Sequence, residues 1–186
     1  KPEIRFGEFA DAWEKRKLGS ITESFSGGTP SSGNSEYYGG SIPFIRSGEI
    51  SLNITELFVT EAGLNNSSAK MVKEGDILYA LYGATSGEVS ISKINGAINQ
   101  AILAIRSINN DDHYLIAQWL RMQKKRIIST YLQGGQGNLS GSIVKELEIT
   151  LPINKDEQKL ISSLFYTLDN LITLHQRKLD KMKNLK

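Results

Sequence analysis

Residues 156–186, DEQKLISSLFYTLDNLITLHQRKLDKMKNLK, form the longest regular pattern in the chain. Apolar side chains recur there at heptad spacing, which is typical of a helix that packs along one face. At 1.5 Å per residue such a helix extends about 45 Å, longer than a domain of this size needs for its own core. The stretch therefore predicts a long C-terminal helix that pairs with a second helix as an antiparallel coiled coil. The alternative is a helix that lies on the surface of its own domain.

The expected pairing surface is a stripe of apolar residues with one polar interruption. His175 occupies an a-type position, and Lys178 follows at the next d-type position. Polar residues in a seam lower stability but fix the register and orientation of the paired helices. The predicted interface consists of Ile161, Leu164, Phe165, Leu168, Leu171, Ile172, His175, Leu179 and Met182.

The start of the helix is marked by polar residues. Asn154 is placed as an N-cap, and Glu157 three residues later predicts a pair resembling a capping box. Asp156 and Glu157 bring negative charge to the first turn, as the helix dipole favours.

The composition excludes several classes of protein. The 186 residues include no cysteine, which excludes disulfide frameworks and cysteine-based zinc sites and fits a cytoplasmic location. No apolar run approaches the length of a membrane span, and the N-terminus has no signal-peptide core. We therefore expect a cytoplasmic protein without a membrane partner.

Charge is divided unevenly along the chain. The chain has 22 basic and 20 acidic residues. Seven of the basic and four of the acidic residues lie from Lys155 onward, so positions 1–154 hold 15 basic and 16 acidic residues. A nucleic-acid surface on the globular part must therefore be local. Two clusters qualify, at residues 15–17 and at Arg121, Lys124, Lys125 and Arg126, although solvated charge is the ordinary alternative for such runs.

The remainder predicts a β-rich mixed domain, so the fold class is α+β. Short strands are expected at residues 18–25, 43–45, 77–82, 88–91, 101–105 and 147–151, with Gly, Ser and Asn between them. One helix is expected at about residues 113–132, where apolar residues have helical spacing. The predicted division is a globular domain at 1–154 and the long helix at 155–186.

Catalytic patterns are missing from the sequence. No phosphate-binding loop or dinucleotide fingerprint is found, and residues 82–87 lack the lysine and following helix of a nucleotide site. His113 and His175 are the only histidines, and neither has a neighbouring cluster of metal ligands. We therefore expect no enzyme activity, no cofactor and no metal.

Loops rich in small polar residues carry a specific resemblance. The blocks are GGTPSSGN at 27–34, YYGG at 37–40, IPFIRSGEI at 42–50, INQA at 98–101 and GGQGNLS at 134–140. In this order they resemble the target-recognition domain of the specificity subunit of Type I restriction–modification enzymes. Asp156-Glu157-Gln158 and the helix that follows resemble the spacer helix of that family. The resemblance covers the chain from about Trp13 to the C-terminus.

The family's architecture implies a role for the helix. Specificity subunits resemble two such units in tandem, whose two helices pack antiparallel as a ruler between two recognition domains. One unit can restore this arrangement as a homodimer, and two identical halves then recognise an interrupted palindrome. The resemblance fits a natural half-subunit and also a segment of a two-unit polypeptide. The implied partners are double-stranded DNA, a methyltransferase (modification) subunit and a restriction/translocase subunit.

Candidate DNA-binding residues follow from the blocks and from side-chain chemistry. Hydroxyls and backbone amides suit phosphates, whereas Arg, Asn and Gln suit base edges. The candidates are Thr29, Ser31, Arg46, Ser47, Ser86, Gln136 and Asn138.

Blocks shared by proteins that recognise different sequences are expected to support the fold, hold phosphates or bind the methyltransferase. Base recognition is therefore expected mainly at 34–38, 51–70 and 131–136. The alternative function is a protein-interaction scaffold with an assembly helix and peptide- or carbohydrate-binding loops.

Overall fold

The computed structural model describes residues 5–132 and 138–183. The strands are β1 Trp13–Lys17, β2 Thr22–Ser26, β3 Tyr38–Ile45, β4 Phe58–Val59, β5 Lys70–Val72, β6 Ile77–Ala80, β7 Val89–Ile91, β8 Gly96–Ile98, β9 Ile102–Ser107 and β10 Glu148–Pro152. The helices are α1 Leu18–Ile21, α2 Glu61–Asn65, α3 His113–Tyr131, α4 Gly141–Glu146 and α5 Lys155–Lys183. The strands form a four-stranded sheet β2-β9-β6-β7, a second sheet β4-β3-β8-β5 and a ribbon β1-β10.

The sheet β2-β9-β6-β7 lies at the centre of the domain because both of its faces are buried. Ile77 and Tyr79 of β6 pack with α3, whereas Leu78 and Ala80 pack with β3 and β8 of the second sheet. Side chains alternate between the two faces of a strand, so a strand covered on both sides is apolar throughout. This explains the continuous apolar run in β6, all four residues of which are buried.

Most predicted elements lie within two or three residues of the observed ones. The larger differences are β3, predicted at 43–45 but beginning at Tyr38, and residues 18–25. Only Thr22–Ser26 is a strand, and Leu18–Ile21 is a helical turn. Leu18 and Ile21 are both 1% exposed in the same core cluster. Residues three apart share one side of a helical turn but face opposite sides of a strand, so the turn is the conformation that buries both. The prediction of a strand at 18–21 was wrong.

The long helix is confirmed as α5, and only its beginning is buried. Glu157, Gln158 and Ser162 face the globular domain, and every residue from Ser163 to Lys183 is exposed. With 3.6 residues per turn, Ser162 lies roughly a third of a turn from the middle of the predicted apolar stripe, and Gln158 lies at its border, about 20° from Phe165. Ile161 is half-buried, and the globular domain leaves the stripe uncovered from Leu164 onward. The predicted coiled coil requires a second helix from another chain and is therefore a proposal.

Asn154 caps α5 as predicted. Its side-chain oxygen accepts from the backbone N–H groups of Asp156 at 2.8 Å and Glu157 at 3.3 Å. The predicted reciprocal contact from Glu157 was wrong, because its carboxylate is bound by the Arg5 guanidinium at 2.6 and 2.7 Å. A bidentate ion pair is stronger than the neutral backbone contact of a capping box.

No helix in residues 5–132 or 138–183 combines the length and the apolar character needed to cross a membrane.

Candidate nucleic-acid interface

One edge of the central sheet gathers loops that are distant in sequence. Ser26 at the end of β2 pairs with Leu103 of β9, and Ala80 at the end of β6 pairs with Ile102 at the start of β9. Because neighbouring strands are antiparallel, the loops after β2 and β6 and the loop before β9 leave from the same edge.

The second sheet adds further loops to this edge. The parallel strands β3 and β8 end together at Ile45 and Ile98, and Lys70 at the start of β5 pairs with Ile98. Only three residues separate β8 from β9. We call this surface the loop edge and define it as residues 27–34, 46–49, 67–70, 81–88, 99–101 and 138. It contains every predicted DNA-binding residue except Gln136, which lies outside the described residues.

The loop at 27–34 is fixed onto the second sheet. A side chain at Gly27 would place its Cβ 1.8 Å from the Ile98 carbonyl oxygen, so only glycine fits. The Thr29 hydroxyl donates to the Gln100 side-chain oxygen at 2.7 Å, and the Tyr38 hydroxyl donates to the Pro30 carbonyl at 2.6 Å. Thr29 and Ser31 are exposed. These contacts agree with a supporting role for the first block while leaving two hydroxyls at the surface.

Arg46 is held by two carboxylates. Its Nε and Nη2 donate to Glu49 at 3.1 and 2.7 Å, and Nη2 also donates to Glu56 at 2.8 Å. The hydrogen bond from Arg46, opposed by burial, lowers the pKa of Glu49 to about 2, and the same pairs raise the pKa of Arg46. The three side chains carry a net charge of −1, so Arg46 is ordered but poorly suited to a phosphate. Ser47, half-buried, begins the 3₁₀ turn Ser47–Glu49 that Arg46 brackets.

Ser86 and Asn138 meet through the turn after β6. Ser86 is 9% exposed and its hydroxyl donates to the Gly83 carbonyl at 2.9 Å, so it shapes the turn from inside. Asn138 is exposed and forms an antiparallel bridge with Tyr82. The structure therefore brings the turn that contains Ser86 and the last block, through Asn138, to one side of the loop edge.

The two basic clusters differ in how far they are neutralised. Lys15 pairs with Glu148 at 2.5 Å, Lys17 with Glu146 at 2.6 Å and Arg16 with Asp111 at 3.0 Å. This cluster forms the last three residues of β1, and its charge is used by the carboxylates of Glu148, Glu146 and Asp111. It is not a free basic patch.

The second cluster is on α3 and flanks the loop edge. Lys124 pairs with Glu88, and Arg121 donates to the Val89 carbonyl at 3.0 Å, which places the C-terminal half of α3 beside the 81–88 turn. Lys125 and Arg126 are exposed, and neither forms an ion pair within the described part of the chain. Their charge is available to a polyanion.

Lys70 is the last residue of the segment 51–70, where base recognition was expected, but it was not among the named DNA-binding candidates. It is exposed at the first position of β5, next to the end of β8. Its neighbours carry no local signal, because its position on the loop edge depends on the pairing of β5 with β8.

Comparisons with known proteins give one consistent family. Residues 10–184 match the family model described as Type I restriction modification DNA specificity domain. The specificity subunit of the Type I restriction enzyme MjaIX from Methanocaldococcus jannaschii is 30% identical over 181 residues, which cover 91% of this chain and 41% of the relative. The specificity subunit of HindI from Haemophilus influenzae is 27% identical over 190 residues, covering 93% and 39%.

Solved structures share the fold. The HsdS subunit from Thermoanaerobacter tengcongensis aligns with a TM-score of 0.68 at 17% identity, covering 95% of this chain and 41% of that one. The S subunit of the Type I restriction-modification system of M. genitalium aligns with a TM-score of 0.69 at 15% identity, covering 94% and 43%.

This chain spans about two fifths of the length of these relatives, the share that the resemblance implies for one recognition domain with its helix. The comparisons do not favour the alternative of an interaction scaffold. With the family model matched from residue 10 to residue 184, the resemblance is confirmed and the chain belongs to the Type I restriction modification DNA specificity domain family.

Proposed function

We propose that the chain is the sequence-specific, non-catalytic DNA-recognition unit of a Type I restriction–modification system. It binds a bipartite, gapped site in double-stranded DNA and directs a methyltransferase subunit and a restriction/translocase subunit to that site. The observation that carries the proposal is the family match over residues 10–184. The gathering of six of the seven candidate residues on one edge of the domain supports it.

On this proposal the loop edge faces the DNA. The Ser31 hydroxyl and the cations Lys70 and Lys125 hold phosphates, because exposed donors, and ammonium groups that form no ion pair within the described residues, provide the sequence-independent part of binding. The Thr29 hydroxyl donates to Gln100, so Thr29 orders the loop that carries Ser31. Arg46, Gln136 and Asn138 are the candidates for base edges. Ser47 and Ser86 support the turns that carry them.

The exposed stripe of α5 supports a homodimer. Leu164, Phe165 and Leu168 are 47%, 51% and 42% exposed, and the stripe continues to Met182, which is 51% exposed. An apolar face of this length is expected to be covered by a partner. A second copy of α5 packed antiparallel covers it with an identical face, which gives a two-fold axis and two recognition domains facing two half-sites.

The test is selection of bound duplexes from a random pool, followed by affinity measurements with the selected duplex and a scrambled one. We expect a gapped motif, and binding of the selected duplex at least roughly 10³-fold tighter than the scrambled one. Log affinity should also fall linearly with log salt concentration, because bound phosphates release counterions. Equal binding of the two duplexes, in the presence of the partner subunits, would exclude the assignment.

A further inference from the structure

The junction between α5 and the globular domain is built from buried polar side chains. Gln158 is 1% exposed, and its side-chain oxygen accepts from the Asp112 backbone N–H at 2.7 Å. Its side-chain nitrogen donates to Asp111 at 2.8 Å and to the Pro152 carbonyl at 2.7 Å. One side chain of α5 therefore joins the start of α3, the loop before it and the end of β10.

Glu157 provides a second attachment on another side of the helix. It is fully buried, and its carboxylate accepts from Arg5 at 2.6 and 2.7 Å and from the Trp13 indole at 3.2 Å. The hydrogen bonds from Arg5, which outweigh the cost of burial, hold the pKa of Glu157 below its ordinary value. We call Glu157, Gln158 and their partners Arg5 and Asp111 the elbow.

Asp111 connects the Gln158 attachment to the ribbon, because it also pairs with Arg16 at 3.0 Å. Burial opposes its ionisation, but hydrogen bonds from Gln158 and Lys155 and the charge of Arg16 outweigh that effect and lower its pKa. Arg16 belongs to β1, which pairs with β10, the strand that leads directly into α5. The helix is thus held from β1, from β10 and from the start of α3.

Beyond the elbow the contacts of α5 are few and lie on one side. The Tyr114 and Gln118 side chains donate to Asp169 at 2.6 and 2.9 Å, and the rings of Tyr114 and Tyr166 meet edge to face at 6.0 Å. Burial, reinforced by the contact with Asp169, raises the pKa of Tyr114 to about 12, so its hydroxyl remains a donor. From Asn170 onward the helix is exposed. Its direction is therefore determined within its first half.

A small change of angle at this junction has a large effect at the far end. Gln158 and Lys183 are 25 positions apart, which corresponds to about 37 Å at 1.5 Å per residue. A rotation of about 10° displaces the far end by roughly 6 Å, close to the rise of two base pairs at about 3.4 Å each. Hydrogen bonds depend on direction as well as distance, whereas apolar contacts tolerate rotation, so a buried polar junction constrains an angle better than an apolar one.

We propose that Glu157 and Gln158 are positioning residues that fix the angle between the recognition domain and α5 and thereby set the spacing between half-sites that the dimer accepts. The inference rests on the proposed function. It assigns a specificity role to residues that touch no base: the loop edge determines which half-site is bound, and the elbow determines how far apart two half-sites must be.

The first test measures the angle without DNA. Because the chain has no cysteine, spin labels attach only at Ala62→Cys on α2 and Lys181→Cys near the end of α5, both exposed. Labelled chains are diluted with unlabelled ones, so that double electron–electron resonance reports the distance within one chain. We expect a narrow distribution for the wild type and a clearly broader one for Gln158→Ala. Gln176→Ala, the same change at an exposed position of the same helix, should leave the distribution narrow.

Glu157→Gln is the milder second variant. It removes the charge that pairs with Arg5 but keeps the size of the side chain and an acceptor for Trp13. It remains informative if Gln158→Ala fails to fold, as judged by circular dichroism and thermal unfolding. A distribution as narrow as that of the wild type in the folded variants would overturn the inference.

The second test varies the gap between half-sites one base pair at a time. We expect the wild type to bind duplexes with one spacing most tightly. In the elbow variants the ratio of affinities between that spacing and the others should fall about tenfold, which is the factor that a buried hydrogen bond contributes to an equilibrium constant. Affinity for a single half-site should equal that of the wild type. If the wild type prefers one spacing and the folded variants prefer it equally, the inference alone is overturned. If the wild type binds no sequence or spacing preferentially, the proposed function fails and the inference with it.

Discussion

At the scale of single residues, the charged groups of this domain divide into those used inside the fold and those left at the surface. Arg16 and Arg46 are each engaged by carboxylates, so neither is a free cation. Lys70 and Lys125 are exposed on or beside the loop edge. The distinction is invisible in the composition, where all four count equally, and it separates residues that order loops from residues that can hold phosphates.

Removing one of the surface cations should change the salt dependence of DNA binding. Lys125→Ala should weaken binding to all duplexes alike and reduce the slope of log affinity against log salt by about 1, because one phosphate contact fewer releases one counterion fewer. Fluorescence anisotropy titrations at several salt concentrations measure this slope. Lys159→Ala, an exposed lysine at the base of α5, is the matched control. An unchanged slope in Lys125→Ala would remove Lys125 from the proposed interface.

The Arg46–Glu49 pair makes a prediction about acid stability. The pKa of Glu49 falls from an ordinary 4.5 to about 2 in the folded protein, so its stabilising contribution is full above about pH 4.5 and is lost as the pH falls towards 2. Arg46 is 45% exposed, which screens the pair and reduces the contribution to roughly 2 kcal/mol.

Glu49→Gln should therefore lower the free energy of unfolding at pH 7 by roughly 2 kcal/mol and flatten its decline between pH 4.5 and 2. Urea unfolding at a series of pH values measures both effects. Glu56→Gln is the control, because the Glu56 side chain is 85% exposed and its pair should contribute less than about 1 kcal/mol. A Glu49→Gln protein with the wild-type acid profile would show that the pair does not order this turn.

At the scale of elements, the sequence predicts what local periodicity encodes. The helix at about 113–132 and the long C-terminal helix are confirmed as α3 and α5, because their apolar residues repeat every three to four positions. The strand β1 was missed, since Lys15, Arg16 and Lys17 look like a solvated run. They are compatible with a strand because Glu148, Asp111 and Glu146 lie opposite them in the fold.

The candidate site shows the same limit. The blocks that contain Thr29, Arg46 and Asn138 were identified from the sequence, but their common edge results from antiparallel and parallel pairings among six strands. Such pairings join residues as far apart as Thr22 and Ser107, and no local pattern encodes them. The elbow was missed for the same reason, since Glu157 and Arg5 are 152 positions apart.

The apolar stripe of α5 makes a prediction about assembly. Leu168 is 42% exposed at the middle of the stripe, so a glutamate there places a charge in the proposed seam without touching the globular core. Leu168→Glu should convert a dimer into a monomer in analytical ultracentrifugation while the thermal unfolding of the globular domain stays unchanged. Asn170→Glu adds the same charge on the opposite side of the exposed helix and should remain dimeric. A monomeric wild type at all concentrations, or a dimeric Leu168→Glu, would contradict the proposed interface.

At the scale of the whole molecule, two surfaces are separated by the length of the strands. The loop edge lies at the ends of β2, β3, β6 and β8. Strand β9 begins at this edge and ends at the opposite edge of the central sheet, and Asp111 of the elbow follows the end of β9. Substitutions in exposed loops can therefore alter the loop edge without disturbing the attachment of α5. On the proposed function, this separation lets one scaffold carry different recognition loops while the geometry of the proposed dimer stays constant.

The proposed dimer predicts avidity for a two-part site. Two linked half-site contacts should bind a full palindromic site at least roughly 10²-fold more tightly than a duplex with one half-site, because the second contact is made within the complex. In Leu168→Glu this advantage should disappear, and the affinity for the full site should approach that for one half-site. Half-site affinity should equal that of the wild type, since the loop edge is untouched, and Asn170→Glu should keep the full advantage. A monomeric Leu168→Glu that still prefers the full site by the wild-type factor would mean that one chain spans both half-sites, and the two-fold arrangement through α5 would have to be abandoned.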